Sequence, residues 1–530
     1  MGFSKRDKKE ILLNYKRPKK ADFFFERIAL FFINSDKSDA HQVIPYRTMR
    51  DLDMEELFMF MDRTCSKIGQ QYLYATLRMI PKNDANSQNI ERIIKYLDDS
   101  PQLKESAVVE MSRLNSAGAY FLQGLIYQKH ISKPKWFWSL IVLSALSCLS
   151  LILAKFLPVL LVVFILVGAG NFIIHYWNKK NVFIYSNSIP QLVILKSVVN
   201  KLLQSGVITD NTEQIRAAVA KIDKVSRLTF FLKLEESEED IFRQVAYYIF
   251  ELIKATFLVE PLVVFKIIDK LESCRDEIGI LFNAVAQIDV AVSIASFREG
   301  LPYYTLPKIS PNGSQFAMKE VFHPLINNPV ANDLDLSEGK SVLVSGSNMS
   351  GKTTFIRTVG INSILSQTIN TACAKEFIIP QLKVHSAIKI SDNLLDDTSY
   401  YYEEVKAIKK MILEKGEGHQ HLFLLDELFK GTNTIERIAS GKAVLSYLND
   451  EHNWVIGSTH DLELTEYLTS EYSYYHFAES VDGDLLKFDF KLKTGRSQDT
   501  NAIRILEINA FPKEITEEAK ALARKIKDGF

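Results

Sequence analysis

The chain has 530 residues, enough for two to four domains, and 47% of them are hydrophobic, ordinary for globular structure. Its 64 Lys and Arg balance 64 Asp and Glu, so no global positive field advertises a nucleic-acid binder and any DNA contact would come from a local patch. Cys65, Cys148, Cys274 and Cys373 are far apart and form no C-x-x-C, which argues against a zinc site or disulfide framework and for reduced thiols in a cytosolic compartment.

Residues 1–20 hold eight Lys or Arg. They read as a solvated basic arm, or as a surface for anionic lipid or nucleic acid, with no apolar core of a signal peptide behind them. Residues 21–34, with Phe23-Phe24-Phe25 and Phe31-Phe32, read as an amphipathic helix. Residues 51–81 read as helices, with Leu52, Leu57, Phe60 and Met61 at helical spacing, and Ile90 to Leu97 as another. Residues 136–177 differ in kind. Trp136 to Ala154 carries no charge, and neither does Phe156 to Trp177. Each run is long enough to cross a hydrocarbon core of about 30 Å as a helix. Trp136, Trp138, Tyr176 and Trp177 sit where an interfacial aromatic belt would be. Lys133 and Lys135 before the pair and Lys179 and Lys180 after it place both flanks on the cytoplasmic side, with a turn at Lys155–Pro158 across the membrane. Residues 181–300 return to charged helices, one starting at Ile189-Pro190. Ala246 to Leu271 reads as packed helices, and Gly279 to Arg298 as a helix with Leu281, Val285, Ile288 and Val292 on one face.

From Tyr303 onward the pattern is α/β. The strand-like run Ser341–Ser345 leads into Gly346-Ser347-Asn348-Met349-Ser350-Gly351-Lys352-Thr353-Thr354 and then a helix to about Ile369. This is the G-x-x-x-x-G-K-[ST] phosphate loop between strand and helix. Its glycines let backbone N–H groups converge on one concavity at a helix N-terminus. Lys352 can reach the β- and γ-phosphates of a nucleoside triphosphate, and Thr353 can ligate Mg²⁺. The apolar run Leu422–Leu425 ends in Asp426-Glu427. There Asp426 would serve Mg²⁺, and Glu427 would act as the base or water-positioner for attack on the γ-phosphate. The run Trp454–Thr459 ends in His460, read as a γ-phosphate sensor. Ser399, in a polar loop before a charged helix, reads from the residues alone as an N-cap.

These residues resemble the MutS family of DNA mismatch-repair ATPases. The likeness runs through His323-Pro324, Asn332-Asp333, the Asn348-Met349-Ser350 within the loop, Leu425-Asp426-Glu427, Gly431-Thr432-Asn433-Thr434 and Ser458-Thr459-His460. Asp62-Arg63-Thr64 through Gly69, Leu73, Leu77 and Pro81 is similar to the start of that family's helical lever, and Leu281 to Ala295, with Asp289, to its end. The resemblance implies a P-loop, ABC-type ATPase using ATP and Mg²⁺. It implies that Ser399 is donated in trans to the partner's nucleotide, hence a homodimer steadied by the helix after Pro512. With the apolar runs, which interrupt the lever where the family's repair members have no insertion, the expected organisation is a basic arm and aromatic-rich helix at 1–48, lever segments at 49–132 and 181–300, a two-helix transmembrane hairpin at 133–180 and an ATPase domain at 301–530. ATP would close the dimer, and hydrolysis would open it and move the levers. Tyr400-Tyr401 and Phe429-Lys430 depart from the family's usual Thr-Phe and Gly-Arg. About 50 residues precede the lever, too few for the family's mismatch-reading domain. Two functions follow: an ATPase at a membrane that still engages DNA, or a membrane-anchored mechanoenzyme acting on a protein or membrane partner without DNA.

Overall fold

The structure, a computed structural model, describes residues 3–528 apart from 21, 131–134, 227–240, 311–314, 337–340, 348, 390–399, 416–417, 451, 483–484, 497–502, 504–505 and 508–510. Among these residues it is mostly helical with three sheets, and the chain divides into two compact units. The first comprises Met1–Asp36, Met61–Ala75 and Gln88–Phe297; the second comprises Lys37–Phe60, Thr76–Ser87 and Arg298–Phe530.

The first unit is helical. Its N-terminal arm is ordered as the helix Lys5–Asn14, where the sequence reads as a solvated tail. Ser4 and Asp7 form a reciprocal capping box, with Asp7 N–H donating to Ser4 Oγ at 3.2 Å and Ser4 N–H to Asp7 at 3.0 Å. The expected helix at 21–34 is two short ones, Phe25–Ile28 and Leu30–Asn34. Phe31, from the second, stacks on Phe282 at 5.1 Å.

Helix α1, Lys67–Arg78, starts in a knot of buried polar groups. Asp62 accepts from Lys19 Nζ at 2.9 Å, Thr64 Oγ1 at 2.6 Å and Gln70 at 2.6 Å. Asp289 accepts from Cys65 N–H at 2.7 Å, Ser66 N–H at 2.8 Å and Ser66 Oγ at 2.6 Å. A Cβ at Gly69 would lie 2.2 Å from the Asp289 carboxylate, so only glycine lets the two segments meet. Asp289→Ala would leave two N–H groups buried without their acceptor. It is expected to cost on the order of 3 kcal/mol, read as a lower thermal midpoint of the full-length protein.

Helix α2, Phe137–Leu153, turns over at residues 154–159 into α3, Leu160–Gln204. At the open end of this pair, the Trp136 and Trp177 rings meet at 6.3 Å. The expected boundary at 180, and the expected helix start at Ile189-Pro190, are both overrun: α3 is one 45-residue helix with Pro190 inside it. Proline removes one helical hydrogen bond, but buried Ile189, Leu192, Leu195 and Val198 hold the flanking turns in place. Beyond the helix Thr212–Ser226 come α4 at Ile241–Thr256 and α5 at Val259–Glu272, these two separated where Leu258 takes a φ of +50°. Helix α6, Arg275–Glu299, is apolar and long enough to span a bilayer, yet 72% of its most apolar 18-residue stretch is buried, which makes it a core helix. Leu160–Trp177, equally apolar, is only 11% buried.

The second unit is built on a six-stranded sheet in the order β6-β5-β1-β4-β3-β2. Its strands are β1, Ser341–Ser345; β2, Lys383–Ala387; β3, His421–Asp426; β4, Asn453–Ser458; β5, Tyr472–Asp482; and β6, Leu485–Thr494. All neighbours pair in parallel except β5 and β6. The central strands β1 and β4 are buried throughout, as their unbroken apolar runs require. Helix α7, Lys352–Ile369, crosses the sheet so closely that a Cβ on Gly360 would come within 2.5 Å of Leu424. It ends at Asn370, φ +51°, where the Arg298 guanidinium donates to the carbonyls of Asn370 and Ile369 at 3.0 and 3.3 Å. A four-stranded sheet of 308–309, 376–379, 317–321 and 332–335 flanks the main one.

Residues 37–60 and 76–87 belong to this unit and not to the arm or lever expected for them. Ala40–Val43 pairs with a strand at Met79–Pro81, a stretch expected to end a helix. Gln42 exchanges two hydrogen bonds with the Val384 backbone at 2.8 and 2.9 Å, and Asp51 accepts from Ser386 Oγ, Ile388 N–H and Lys389 N–H. Together they cover the otherwise open edge of β2.

Candidate nucleotide site

The site lies at the C-terminal ends of β1, β3 and β4, where parallel register sets three loops side by side. Ser458 stands opposite both Val344 and Asp426. The turn after β1 needs residues at positive φ, with Gly346 at +144°, Met349 at +70° and Gly351 at +114°. At Gly346 a Cβ would also meet the Phe477 carbonyl at 2.8 Å, so glycine is required there on both counts.

Lys352, at the first turn of α7, is buried. Its Nζ donates to the carbonyls of Gly346 and Ser347, both at 2.9 Å, and lies 3.2 Å from His460 Nε2 and 4.0 Å from Glu427 Oε1. Burial pushes its pKa down, against the pull of Glu427 and Asp426. Thr353 Oγ1 donates to Asp426 at 2.8 Å, and Ser458 Oγ bonds the other oxygen of the same carboxylate. Glu427, at φ +52°, accepts from His460 at 2.6 Å and Lys430 at 2.5 Å. Burial alone would raise the Glu427 carboxyl, but these two hydrogen bonds and charges hold it down at about 2.

A cavity of about 380 Å³ opens beside the loop, walled by His323, Val330, Lys352, Thr353, Glu427 and Phe490. That volume suits a small-molecule ligand. Asn332 fixes its far wall by bonding the Phe490 carbonyl at 3.1 Å and the Leu492 N–H at 2.8 Å. Glu427 also lines a second cavity of about 340 Å³, with Lys430, His460 and the ion-paired Arg437 and Asp461.

Of the residues expected in the site, Gly346, Ser347, Ser350, Gly351, Lys352, Thr353, Asp426, Glu427 and His460 gather within this region of the second unit. Met349 is exposed at the loop's tip, and Thr354 lines the large cavity. Asn348 and Ser399 lie outside the described residues. Sequence reasoning missed Lys430 as a partner of Glu427. Its only signal was standing where the resembled family usually carries arginine. Phe477 and Phe490 were missed entirely, because they reach the loop from β5 and β6, strands remote in sequence.

Residues 342–527 match the MutS domain V family. This stretch is similar to that family's domain V. Proteins named DNA mismatch repair protein MutS align with about half of the chain: one from Thermus thermophilus is 28% identical over 260 residues, 47% of this chain and 31% of the relative. That of Listeria monocytogenes serovar 1/2a is 28% identical over 260 residues, covering 47% and 30%, and that of Petrotoga mobilis 30% identical over 273, covering 49% and 33%. The match thus spans about a third of the length of these MutS relatives. The matched stretch contains the phosphate loop, Asp426, Glu427 and His460.

Proposed function

We propose that this chain is a MutS-type ATPase that binds and hydrolyses ATP with Mg²⁺ as a homodimer tethered to a membrane. One observation carries the ATPase reading: Lys352, Thr353, Asp426, Glu427 and His460 converge from three parallel strand ends, and Lys352, Thr353 and Glu427 line a cavity of about 380 Å³. Lys352 and the loop N–H groups would take the β- and γ-phosphates. Thr353 and Asp426 fit Mg²⁺, being a hydroxyl and a carboxylate already within 2.8 Å, and the ion would supply charge against the phosphate oxygens. A Glu427 carboxyl held near 2 is a weak proton acceptor. Its part is therefore to orient the attacking water and steady the charge that develops on it, with His460 beside the γ-phosphate. Lys430→Met removes one cause of that low pKa, so the carboxyl rises and the acid limb of kcat/KM is expected to move to higher pH. An unmoved limb would detach Lys430 from the chemistry.

The homodimer rests on the resemblance, which assigns Ser399 to the partner's nucleotide. The membrane tether is supported by an inverted surface. In α2 and α3, Ser147, Ser150, Asn171 and His175 are buried while Leu149, Ile152, Ile165 and Ile173 are exposed. Such a pair is stable with apolar solvent outside. The cytoplasm would hold the arm and the ATPase part.

The relatives' name supports DNA as the output, with ATP-driven motion passing through the helical unit. The balanced net charge favours the second reading, a mechanoenzyme acting on a membrane or protein partner. Turnover in lipid nanodiscs, measured with and without duplex DNA over a salt series, separates them. ATP hydrolysis that needs Mg²⁺ is expected, with DNA binding that weakens as salt rises. No DNA affinity at low salt, with or without ATP, leaves the second reading standing.

A further inference from the structure

We infer that α4 and α5 form a re-entrant helical hairpin whose tip, at Thr256–Leu258, sits at mid-bilayer depth, with the outer face of α4 bathed in lipid acyl chains. This rests on the membrane reading of α2 and α3 and extends it to a stretch whose sequence is interrupted by charge.

The first observation is the tip. A helix end leaves carbonyls without helical partners, and in hydrocarbon those must be met by protein. Here Asn171 Nδ2 donates to the Thr256 carbonyl at 2.7 Å, and Ser144 Oγ donates to the Phe257 carbonyl at 2.8 Å. Both donors stand near the middle of the apolar runs of α2 and α3, and Asn171 also bonds Ser147 at 2.9 Å. Phe257 meets Phe164 at 6.3 Å, and a Cβ on Gly168 would only just touch Thr256. The turn is thus held at the level of the hairpin's centre. Helix α5 then returns toward the open end, where Phe265 packs on Phe137 at 6.0 Å.

The second observation is the face of α4. Val245, Tyr248, Ile249, Leu252 and Ile253, at helical spacing, are 44–63% exposed. Glu251 and Lys254 lie off that face. Lys254 is buried and ion-paired to Glu251, and beyond the turn Glu260 is buried 3.6 Å from His175. Apolar side chains outward and charges inward is the arrangement of α2 and α3 continued, and that continuity identifies acyl chains as the occupant. The lengths agree as well. Val245 to Thr256 rises about 16 Å at 1.5 Å per residue, close to the roughly 15 Å of one hydrocarbon leaflet.

Spin labels test this in the full-length protein in nanodiscs, in a Cys148→Ser background. Ile165→Cys reports the hairpin, and Val245→Cys, Ile249→Cys and Leu252→Cys report α4; all four sites are exposed, so the fold tolerates the label. Collision with oxygen should exceed collision with a water-soluble nickel chelate at 165, 249 and 252. The ratio should increase from 245 to 252 as the helix descends. A lipid-like 165 with a water-like 252 overturns the re-entrant hairpin and keeps the anchor. Equal depth along α4 also overturns it, as that is a helix lying flat. Shielding of 252 from both colliders would assign the face to a protein partner instead. A water-like 165 would remove the membrane reading itself.

Discussion

Glu427→Gln is expected to bind ATP as the parent protein does and to slow hydrolysis by on the order of 10²–10⁴-fold. The substitution keeps the side chain's volume and its place at φ +52°. It removes the charge that His460 and Lys430 hold, and with it the acceptor that aligns water. Single-turnover hydrolysis beside binding of a fluorescent ATP analogue measures both halves of the claim. Unchanged turnover would take Glu427 out of the chemistry. Because its carboxyl lies at about 2 in the free protein, its contribution to stability is present above its unfolded value near 4.3. That contribution is lost as pH falls through 2. The acid limb set by Glu427 should therefore lie well below pH 4 before Lys430 is altered.

Lys352→Met should lower ATP affinity by on the order of 100-fold, about 3 kcal/mol, without lowering the melting temperature of the nucleotide-free protein. The ammonium is buried, and burial opposes its charge. Its two bonds to Gly346 and Ser347 carbonyls compensate for that cost only in part. Methionine fills the same space with nothing to desolvate, so stability is held while the phosphate contact is gone. Calorimetric titration with ATP and a thermal melt give the two readouts. Retained affinity would mean that the loop N–H groups alone hold the phosphates.

Local chemistry explains which parts were legible. The phosphate loop could be read because each of its demands falls on adjacent residues: glycines where φ is positive, Lys352 and Thr353 where a helix begins. Asp426, Glu427 and His460 could be read because apolar runs of strand length end on them. The capping box at Ser4 and Asp7 is also there in the pattern Ser-x-x-Asp, masked by the basic charge around it. Other features had no local mark. The Met79–Pro81 strand exists because Ala40–Val43 pairs with it. The helix across Pro190 survives because its neighbours are buried on both sides. The cavity wall at Phe490 depends on Asn332, more than 150 residues away in sequence.

By itself, then, the sequence determined the nucleotide loop, the apolar hairpin segments and the likeness to MutS, because each is written in contiguous residues whose spacing follows the period of a strand or helix. Only the tertiary structure decided that residues 37–60 close the edge of the six-stranded sheet, that Lys430 clamps Glu427, and that Lys254 of α4 is buried. Those outcomes turn on which side of an element is covered and by what, and a one-dimensional pattern records the period of a face but not its partner.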